Sequence, residues 1–297
     1  MKWQGVIPAM TTAFKPDYSV DHAFVGRHAR WLVDNGCTGI VALGSLGESA
    51  TLSFEEKVSI LESCRAAVGD RVPVIAGIAG LSTSECIALA RRAASAGCAG
   101  LMVLPVYVYR GDWRETEAHF SAVIEATPLS CMLYNNPIAY GTDVTADQLA
   151  ELARHDNLHA VKESSGDVRR ITATRVMCGE RLALFAGLDD MIVEATRMGA
   201  VGWIAGLVNA LPRETMALFR AASSGDTRTA DAIYEWFLPL LRMDTLPKFV
   251  QLIKLVQQEV GMGHERVRGP RLILAGRERE DALEIIRNAL RRRPTLQ

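Results

Sequence analysis

The 297-residue chain has almost no excess charge, because 33 lysines and arginines stand against 34 aspartates and glutamates. A net charge of -1 gives no electrostatic reason to expect nucleic acid or an anionic membrane as a partner. Long apolar runs are also lacking. None reaches the roughly 18 residues of a transmembrane helix, and the N-terminus leads into a strand pattern where a signal peptide would have its apolar region. The sequence therefore predicts a cytoplasmic protein.

Cysteine and histidine are too scattered to form a recognisable metal or disulfide framework. The six cysteines include no C-x-x-C pair, and several lie in apolar stretches, so they are interpreted as reduced core residues. The six histidines show no metal-ligand spacing. No G-x-G-x-x-G follows the first predicted strand, which argues against a dinucleotide site.

Eight short apolar strands alternate with amphipathic helical segments. Strands that are apolar throughout are typical of a parallel sheet covered on both faces, and eight units over about 220 residues predict a closed (β/α)8 TIM barrel of the α/β class. An open doubly wound sheet is the alternative. The predicted strands are Gly5–Ala9, Gly39–Gly44, Val72–Gly77, Gly100–Pro105, Leu129–Tyr134, Leu158–Glu163, Leu182–Gly187 and Val201–Gly206.

The last quarter of the chain departs from this repeat and shows only helical patterns. We predict a barrel with the active site over residues 1–225 and C-terminal helices over residues 226–297. The predicted helices are Thr229–Leu241, Pro247–Val260 and Glu278–Arg293. The segment 234–241 is too apolar for a lone surface helix, so it packs on the barrel or on another subunit, and the barrel is favoured.

Lys162 stands at the C-terminal end of the sixth predicted strand. Alternation along the strand puts Leu158, Ala160 and Lys162 on one face. Burial disfavours an ammonium and lowers its pKa, which is how enzymes obtain a neutral amine for a Schiff base. The alternative is a strand-end lysine whose head reaches solvent.

Residues at other strand ends could serve the same site, because active sites of barrels lie at this face. The loop Gly44-Ser45-Leu46-Gly47-Glu48 offers successive backbone N–H groups for a carboxylate, although its glycines could serve the turn alone.

Tyrosines follow the fourth and fifth predicted strands. Tyr134, Tyr107 and Tyr109 are candidates for a proton relay, or for packing residues with a wet tip. Gly187 and Ile204 would supply only a wall or a backbone contact.

Four separated motifs resemble the dihydrodipicolinate synthase/N-acetylneuraminate lyase family of Schiff-base aldolases and lyases. They are Gly44-Ser45-Leu46-Gly47-Glu48, Tyr134-Asn135-Asn136-Pro137, Val161-Lys162-Glu163-Ser164-Ser165-Gly166-Asp167 and Phe185-Ala186-Gly187. The resemblance extends from Gly5 to the C-terminal helices, with the motifs in the same order and spacing as in the family.

The resemblance implies that Lys162 attacks the keto carbon of a 2-oxo acid and that Tyr134 moves protons there. Ser45 would link Tyr134 to Tyr107, which a neighbouring subunit would offer in a tetramer built as a dimer of dimers. It also implies that no metal or organic cofactor is needed.

We predict that Leu46, Gly47, Gly187 and Ile204 bind the substrate, and the resemblance implies that the amides at Ser45 and Leu46 hold its carboxylate.

Two positions depart from the family's biosynthetic members. Those members carry a second hydroxyl residue where this chain has Leu46, and an arginine for the aldehyde's carboxylate where it has Ala139. Losing such a charge-assisted contact costs about 1.5–3 kcal/mol. The motifs therefore favour a catabolic enzyme resembling 1-pyrroline-4-hydroxy-2-carboxylate deaminase.

Other functions stay open. A 2-keto-3-deoxy sugar acid dehydratase or aldolase, and 4-hydroxy-tetrahydrodipicolinate (dihydrodipicolinate) synthase, are the enzymatic alternatives. A catalytically silent barrel is the non-enzymatic one. A phosphate-sugar enzyme is disfavoured because Gly206-Leu207-Val208-Asn209 has too little glycine for a phosphate nest.

Overall fold

A computed structural model describes residues 1–295 and contains one sheet of eight parallel strands. The strands are β1 Gly5–Pro8, β2 Ile40–Ala42, β3 Val74–Ile78, β4 Gly100–Val103, β5 Ser130–Asn135, β6 Leu158–Glu163, β7 Ala183–Ala186 and β8 Gly202–Ala205. Their order is β1-β8-β7-β6-β5-β4-β3-β2. The two ends meet where the Met10 N–H donates to the Val41 carbonyl at 2.8 Å, which closes the cylinder. The predicted (β/α)8 barrel is confirmed, and the open-sheet alternative is wrong.

Helices follow the strands and cover the outside of the cylinder. They are α1 His22–Asp34, α2 Phe54–Val68, α3 Thr83–Ser95, α4 Trp113–Glu125, α5 Pro137–Tyr140, α6 Ala146–Leu152, α7 Arg169–Cys178, α8 Ile192–Arg197, α9 Pro212–Ser224, α10 Thr227–Leu241, α11 Phe249–Glu259 and α12 Gly276–Arg291. Ser53 and Glu56 form a complete capping box at the start of α2. The same motif at α3 is half-formed, because the Glu85 carboxylate accepts from the Leu81 N–H instead.

The strands are buried on both faces, and the six cysteines are free, five of them fully buried. Within residues 1–295, no helix has the length and apolar character needed to cross a membrane. No group of histidine, cysteine or carboxylate side chains in that range could hold a metal ion.

The apolar segment 234–241 packs within this chain, as the favoured prediction holds. Phe237, Leu240 and Leu241 are fully buried, and the Trp236 indole N–H donates to the Ala289 carbonyl at 2.9 Å. This bond ties α10 to α12. Of the predicted C-terminal part, residues 296 and 297 lie outside the described residues.

A buried ion pair joins the C-terminal part to the loop after β2. The Lys254 ammonium on α11 donates to the Glu48 carboxylate, and the Arg268 N–H donates to its other oxygen at 3.0 Å. The side chains of Glu48 and Lys254 are 0% and 2% exposed. Glu48 itself has a left-handed backbone with φ 55°. The loop that carries Ser45 is therefore fixed by residues more than 200 positions away.

Candidate active site

A cavity of about 460 Å³ lies among the residues at the C-terminal ends of the strands. Strand ends and the loops after them supply Ser45, Leu46, Tyr134, Lys162 and Ile204 to its wall. This is the face at which a TIM barrel carries out chemistry. The cavity thus collects most of the residues that the sequence singled out.

Lys162 lies at the end of β6 and faces this cavity. It is 6% exposed, and its Nζ lies 4.0 Å from the centroid of the Tyr134 ring. Tyr134 is the residue of β5 that pairs with Lys162 in the sheet. The alternative that its head reaches bulk solvent is wrong. Burial lowers the pKa of Lys162 to about 8, although the Asp244 and Asp189 carboxylates oppose that effect. A useful fraction of the amine is therefore neutral near pH 7.

Imine formation at Lys162 should follow the neutral amine. With pyruvate and cyanoborohydride, we expect the rate of adduct formation to rise about tenfold per pH unit up to about pH 8 and to level off above it. Intact-mass measurement between about pH 6 and about pH 10 tests this profile. A rate that still rises tenfold per unit above about pH 9 would mean an ordinary lysine pKa.

Gly187, just after β7, leaves the space that Lys162 occupies. A Cβ at this position would lie 2.8 Å from Lys162 Cε and 1.9 Å from the Ser164 Oγ. It would also lie 2.9 Å from the Glu163 carbonyl oxygen, which belongs to the strand itself. No methyl group fits there unless the Ser164 hydroxyl, the Lys162 side chain and the Glu163 carbonyl all shift.

Gly187→Ala should therefore slow imine formation about 10²-fold, because displacing a reacting group by about 1 Å has that effect. The measurement is the rate of adduct formation with pyruvate and cyanoborohydride. Gly26→Ala on α1 is the matched control, since the nearest atom to its new methyl would be the Ala67 Cβ at 3.5 Å. An equal rate in both variants would contradict this steric role for Gly187.

Tyr134 is 5% exposed and lies beside the Lys162 amine. The Asn136 side-chain amide donates to its hydroxyl at 2.9 Å. Burial raises the pKa of Tyr134 to about 12, while the hydrogen bond from Asn136 opposes the rise. The phenol is thus neutral at physiological pH, and its hydroxyl is oriented by a fixed donor.

The tyrosine next to Ser45 is Tyr140, which the sequence reasoning missed. The hydroxyl groups of Ser45 and Tyr140 form a hydrogen bond. The Tyr140 ring meets Tyr134 edge-on at 5.9 Å between centroids and stacks on Tyr107 at 5.7 Å. Within one chain, the tyrosine that bonds to Ser45 is therefore Tyr140 and not Tyr107. Tyr107 in the site of a neighbouring subunit stays a prediction.

Tyr109, the other candidate after β4, does not approach the cavity. It is 57% exposed, and its hydroxyl donates to the Glu115 carboxylate at 3.0 Å. Its place on the surface removes it from a relay within this chain.

The one-turn helix α5 explains how Tyr140 arrives at the site. The side-chain Oδ1 of Asn136 accepts from the Ala139 N–H at 2.9 Å, and Pro137 occupies the first helical position. Gly141 ends the turn in a left-handed conformation. This Asn-Pro start and Gly stop are readable signals, and together they place Tyr140 one turn after the end of β5.

The loop after β2 presents free amides to the cavity. The N–H groups of Ser45 and Leu46 donate to no acceptor within residues 1–295, and both residues line the cavity. Gly187 and Ile204 line it as well. Gly47 does not; its carbonyl accepts from the Thr12 hydroxyl at 2.6 Å, and a Cβ there would lie 3.0 Å from the Met10 carbonyl. Gly47 thus shapes the loop from behind.

The sequence analysis assigned no role to three further charged residues around Lys162. Asp189 is fully buried after β7 and accepts from the Trp203 indole at 2.9 Å and from the Leu207 N–H at 2.7 Å. Asp244 and Arg271 line the cavity from the C-terminal part. The sequence predicted only that the C-terminal helices pack on the barrel or on another subunit, so it did not predict that they contribute side chains to the cavity.

Comparison with known proteins agrees with this geometry. The model of the dihydrodipicolinate synthetase family matches residues 2–289. A 4-hydroxy-tetrahydrodipicolinate synthase of Synechococcus sp. (strain WH7803) is 37% identical over 238 residues, 80% of this chain and 79% of the relative.

Solved structures of the same kind superpose closely. A dihydrodipicolinate synthase from Bacillus anthracis has a TM-score of 0.92 at 28% identity, covering 97% of this chain and 98% of its own. The enzyme from Acinetobacter baumannii, solved with pyruvate, has a TM-score of 0.90 at 28% identity, covering 96% and 98%. The barrel, the order of its motifs and the match over nearly the whole length lead to one conclusion: this chain belongs to the dihydrodipicolinate synthetase family.

Proposed function

We propose that this protein is a Schiff-base lyase acting on a 2-oxo acid or its cyclic imine, with Lys162 as the nucleophile. The single observation that carries the proposal is the Lys162 amine, buried at the cavity wall with a lowered pKa and packed on the Tyr134 ring at 4.0 Å. A neutral amine beside a phenol has the groups needed for carbinolamine formation and its dehydration.

The loop after β2 supplies the orientation. A substrate carboxylate held by the N–H groups of Ser45 and Leu46 would place the adjacent keto carbon toward Lys162. The imine then accepts the electron pair when a bond one or two carbons away breaks or forms. Tyr134 moves protons at the carbinolamine and at the reacting carbon. The hydrogen-bonded hydroxyl groups of Ser45 and Tyr140 continue the proton relay beyond Tyr134.

For the second half of the substrate, we favour elimination from a hydroxylated compound, as in 1-pyrroline-4-hydroxy-2-carboxylate deaminase or a keto-deoxy sugar acid dehydratase. Ala139 stands where the resemblance implies an arginine for the aldehyde's carboxylate. Leu46, Ile138 and Ala139 make the adjoining wall apolar. Such a wall suits a small or weakly charged group.

Condensation of pyruvate with aspartate semialdehyde is the second candidate. The relatives named above are synthases of this kind, which supports that reaction more directly than the deaminase. One residue of the cavity also favours it. Arg271 lines the wall and has no ion-pair partner within residues 1–295, so it offers a cation for a second carboxylate.

A substrate panel separates these reactions. The purified protein is offered 1-pyrroline-4-hydroxy-2-carboxylate, a keto-deoxy pentonate, and pyruvate with aspartate semialdehyde. Ammonia release from the first alone supports the deaminase, and condensation in the third overturns the inference from Ala139. In parallel, pyruvate with borohydride should add mass at Lys162. An adduct mapped to another lysine would refute the Schiff-base assignment itself.

A further inference from the structure

Asp244 is the carboxylate of the cavity that has no partner. It lies in the turn Arg242–Thr245 between α10 and α11 and lines the cavity together with Lys162. Its oxygens make no hydrogen bond or ion pair with any residue from 1 to 295. Asp189, by contrast, accepts from the Trp203 indole and from the Gly206 and Leu207 N–H groups. One carboxylate is thus anchored, and the other is left available to a ligand.

The backbone around Asp244 holds its carboxyl group in place. A Cβ added at Gly206 would lie 2.1 Å from the Asp244 Oδ1, so the carboxyl group rests directly on that glycine at the end of β8. The preceding residue, Met243, is 2% exposed and anchors the turn in the core. Asp244 therefore reaches the cavity from a fixed position.

We propose that Asp244 is the general acid that protonates a hydroxyl group leaving from the carbon two positions beyond the imine carbon of the substrate. This inference rests on the proposed function, because it needs the Lys162 imine as the electron sink. The substrate class it selects is a 2-oxo acid, or its cyclic imine, with a hydroxyl group at C4.

The step balances without any further reactant. Loss of the C3 proton from the imine gives an enamine, whose nitrogen electron pair re-forms the C2=N bond while the C3=C4 bond forms. The C4–O bond breaks, its electron pair leaves with oxygen, and the Asp244 proton joins that oxygen to release water. The proton taken from C3 returns to the Asp244 carboxylate through the tyrosines or water, so nothing is oxidised or reduced.

The electrostatic surroundings of Asp244 support its protonated form. Burial raises its pKa well above the ordinary value, and the neighbouring Asp189 charge raises it further, while Lys162 acts in the opposite sense. In the enamine the Lys162 nitrogen is neutral, so its opposing effect on the Asp244 pKa is absent when the hydroxyl group leaves. A protonated carboxyl group can give its proton to a poor leaving group such as hydroxide.

The test compares Asp244→Asn with Asp231→Asn. The first keeps the shape of the side chain and removes the acid. The second makes the same change on a carboxylate of α10 that does not line the cavity and pairs with Arg197 at 3.0 Å on the surface. We expect Asp244→Asn to lower kcat on a C4-hydroxylated substrate by about 10²–10⁴-fold with KM changed less than about threefold. Asp231→Asn should retain the wild-type kcat.

Pyruvate trapping at Lys162 separates this inference from the proposed function. Asp244→Asn should still form the reduced adduct, because pyruvate has no hydroxyl group to eliminate. Gly206→Ala, which displaces the carboxyl group with Asp244 intact, should reproduce the loss of kcat. The role of Asp244 would be overturned if Asp244→Asn kept the wild-type kcat or changed KM alone. It would also be overturned if the wild-type protein trapped pyruvate but dehydrated no C4-hydroxylated substrate. Failure of trapping in the wild type would instead refute the Schiff base.

Discussion

Lys162→Met should abolish both the pyruvate–borohydride adduct and turnover, with a loss of about 10⁴-fold or more, because the nucleophile itself is removed. Methionine fills a similar volume without a charge, so the barrel should stay folded around the cavity. Intact mass after reduction, peptide mapping and a turnover assay measure the effect, and circular dichroism checks the fold. A residual adduct of normal rate would place the imine on another lysine.

The chain offers a matched control in its other buried lysine. Lys254 also has its pKa lowered to about 8, mainly by burial, yet it does not line the cavity. Lys254→Met leaves the Glu48 carboxylate buried without its cation, which should cost about 3–5 kcal/mol of unfolding free energy. We expect this variant to lose stability in urea while its adduct still maps to Lys162. The two substitutions should thus separate chemistry from stability.

Tyr134→Phe should reduce turnover by about 10²–10⁴-fold and leave the fold intact. The phenyl ring would still pack on the Lys162 amine, so only the hydroxyl group that moves protons is lost. Steady-state kinetics on the substrate identified by the panel measures the loss. Turnover within about threefold of the wild type would remove Tyr134 from the mechanism.

The neighbouring tyrosines provide graded controls for that experiment. Tyr140→Phe removes the hydroxyl group that bonds to Ser45, so it should have a smaller effect than Tyr134→Phe, about tenfold. Tyr107→Phe keeps the ring that stacks on Tyr140. If a neighbouring subunit offers Tyr107 as the resemblance implies, its loss should equal that of Tyr140→Phe; otherwise turnover should stay close to the wild type.

The sequence predicted the barrel well because each strand carries its own signal. A run such as Gly39–Gly44 is apolar throughout, and only a strand covered on both faces tolerates that pattern. Strand ends then identified Lys162, Tyr134 and Ser45, since a parallel barrel gathers its strand ends at one face. Local pattern and global topology therefore gave the same residues.

Residues that reach the cavity from outside the repeat were not predictable in this way. Asp244 and Arg271 lie in turns and loops after α10 and α11, where nothing in the local pattern indicates the direction of a side chain. The position of Tyr140 depends on the single helical turn α5. The Asn-Pro start and the Gly stop of this turn are visible in the sequence, but they were not used to predict it. Its contact with Ser45 spans 95 positions, and such a separation is fixed only by the complete fold.

The bond between Glu48 and the C-terminal part bears on how the protein is made. Its two partners, Lys254 and Arg268, are 206 and 220 positions later in the chain. During vectorial synthesis on the ribosome, the Glu48 carboxylate has no cation until Lys254 is made, and it lacks the Arg268 N–H donor for longer still. A nascent barrel thus carries an unfinished substrate loop until translation is almost complete, so binding competence is acquired last.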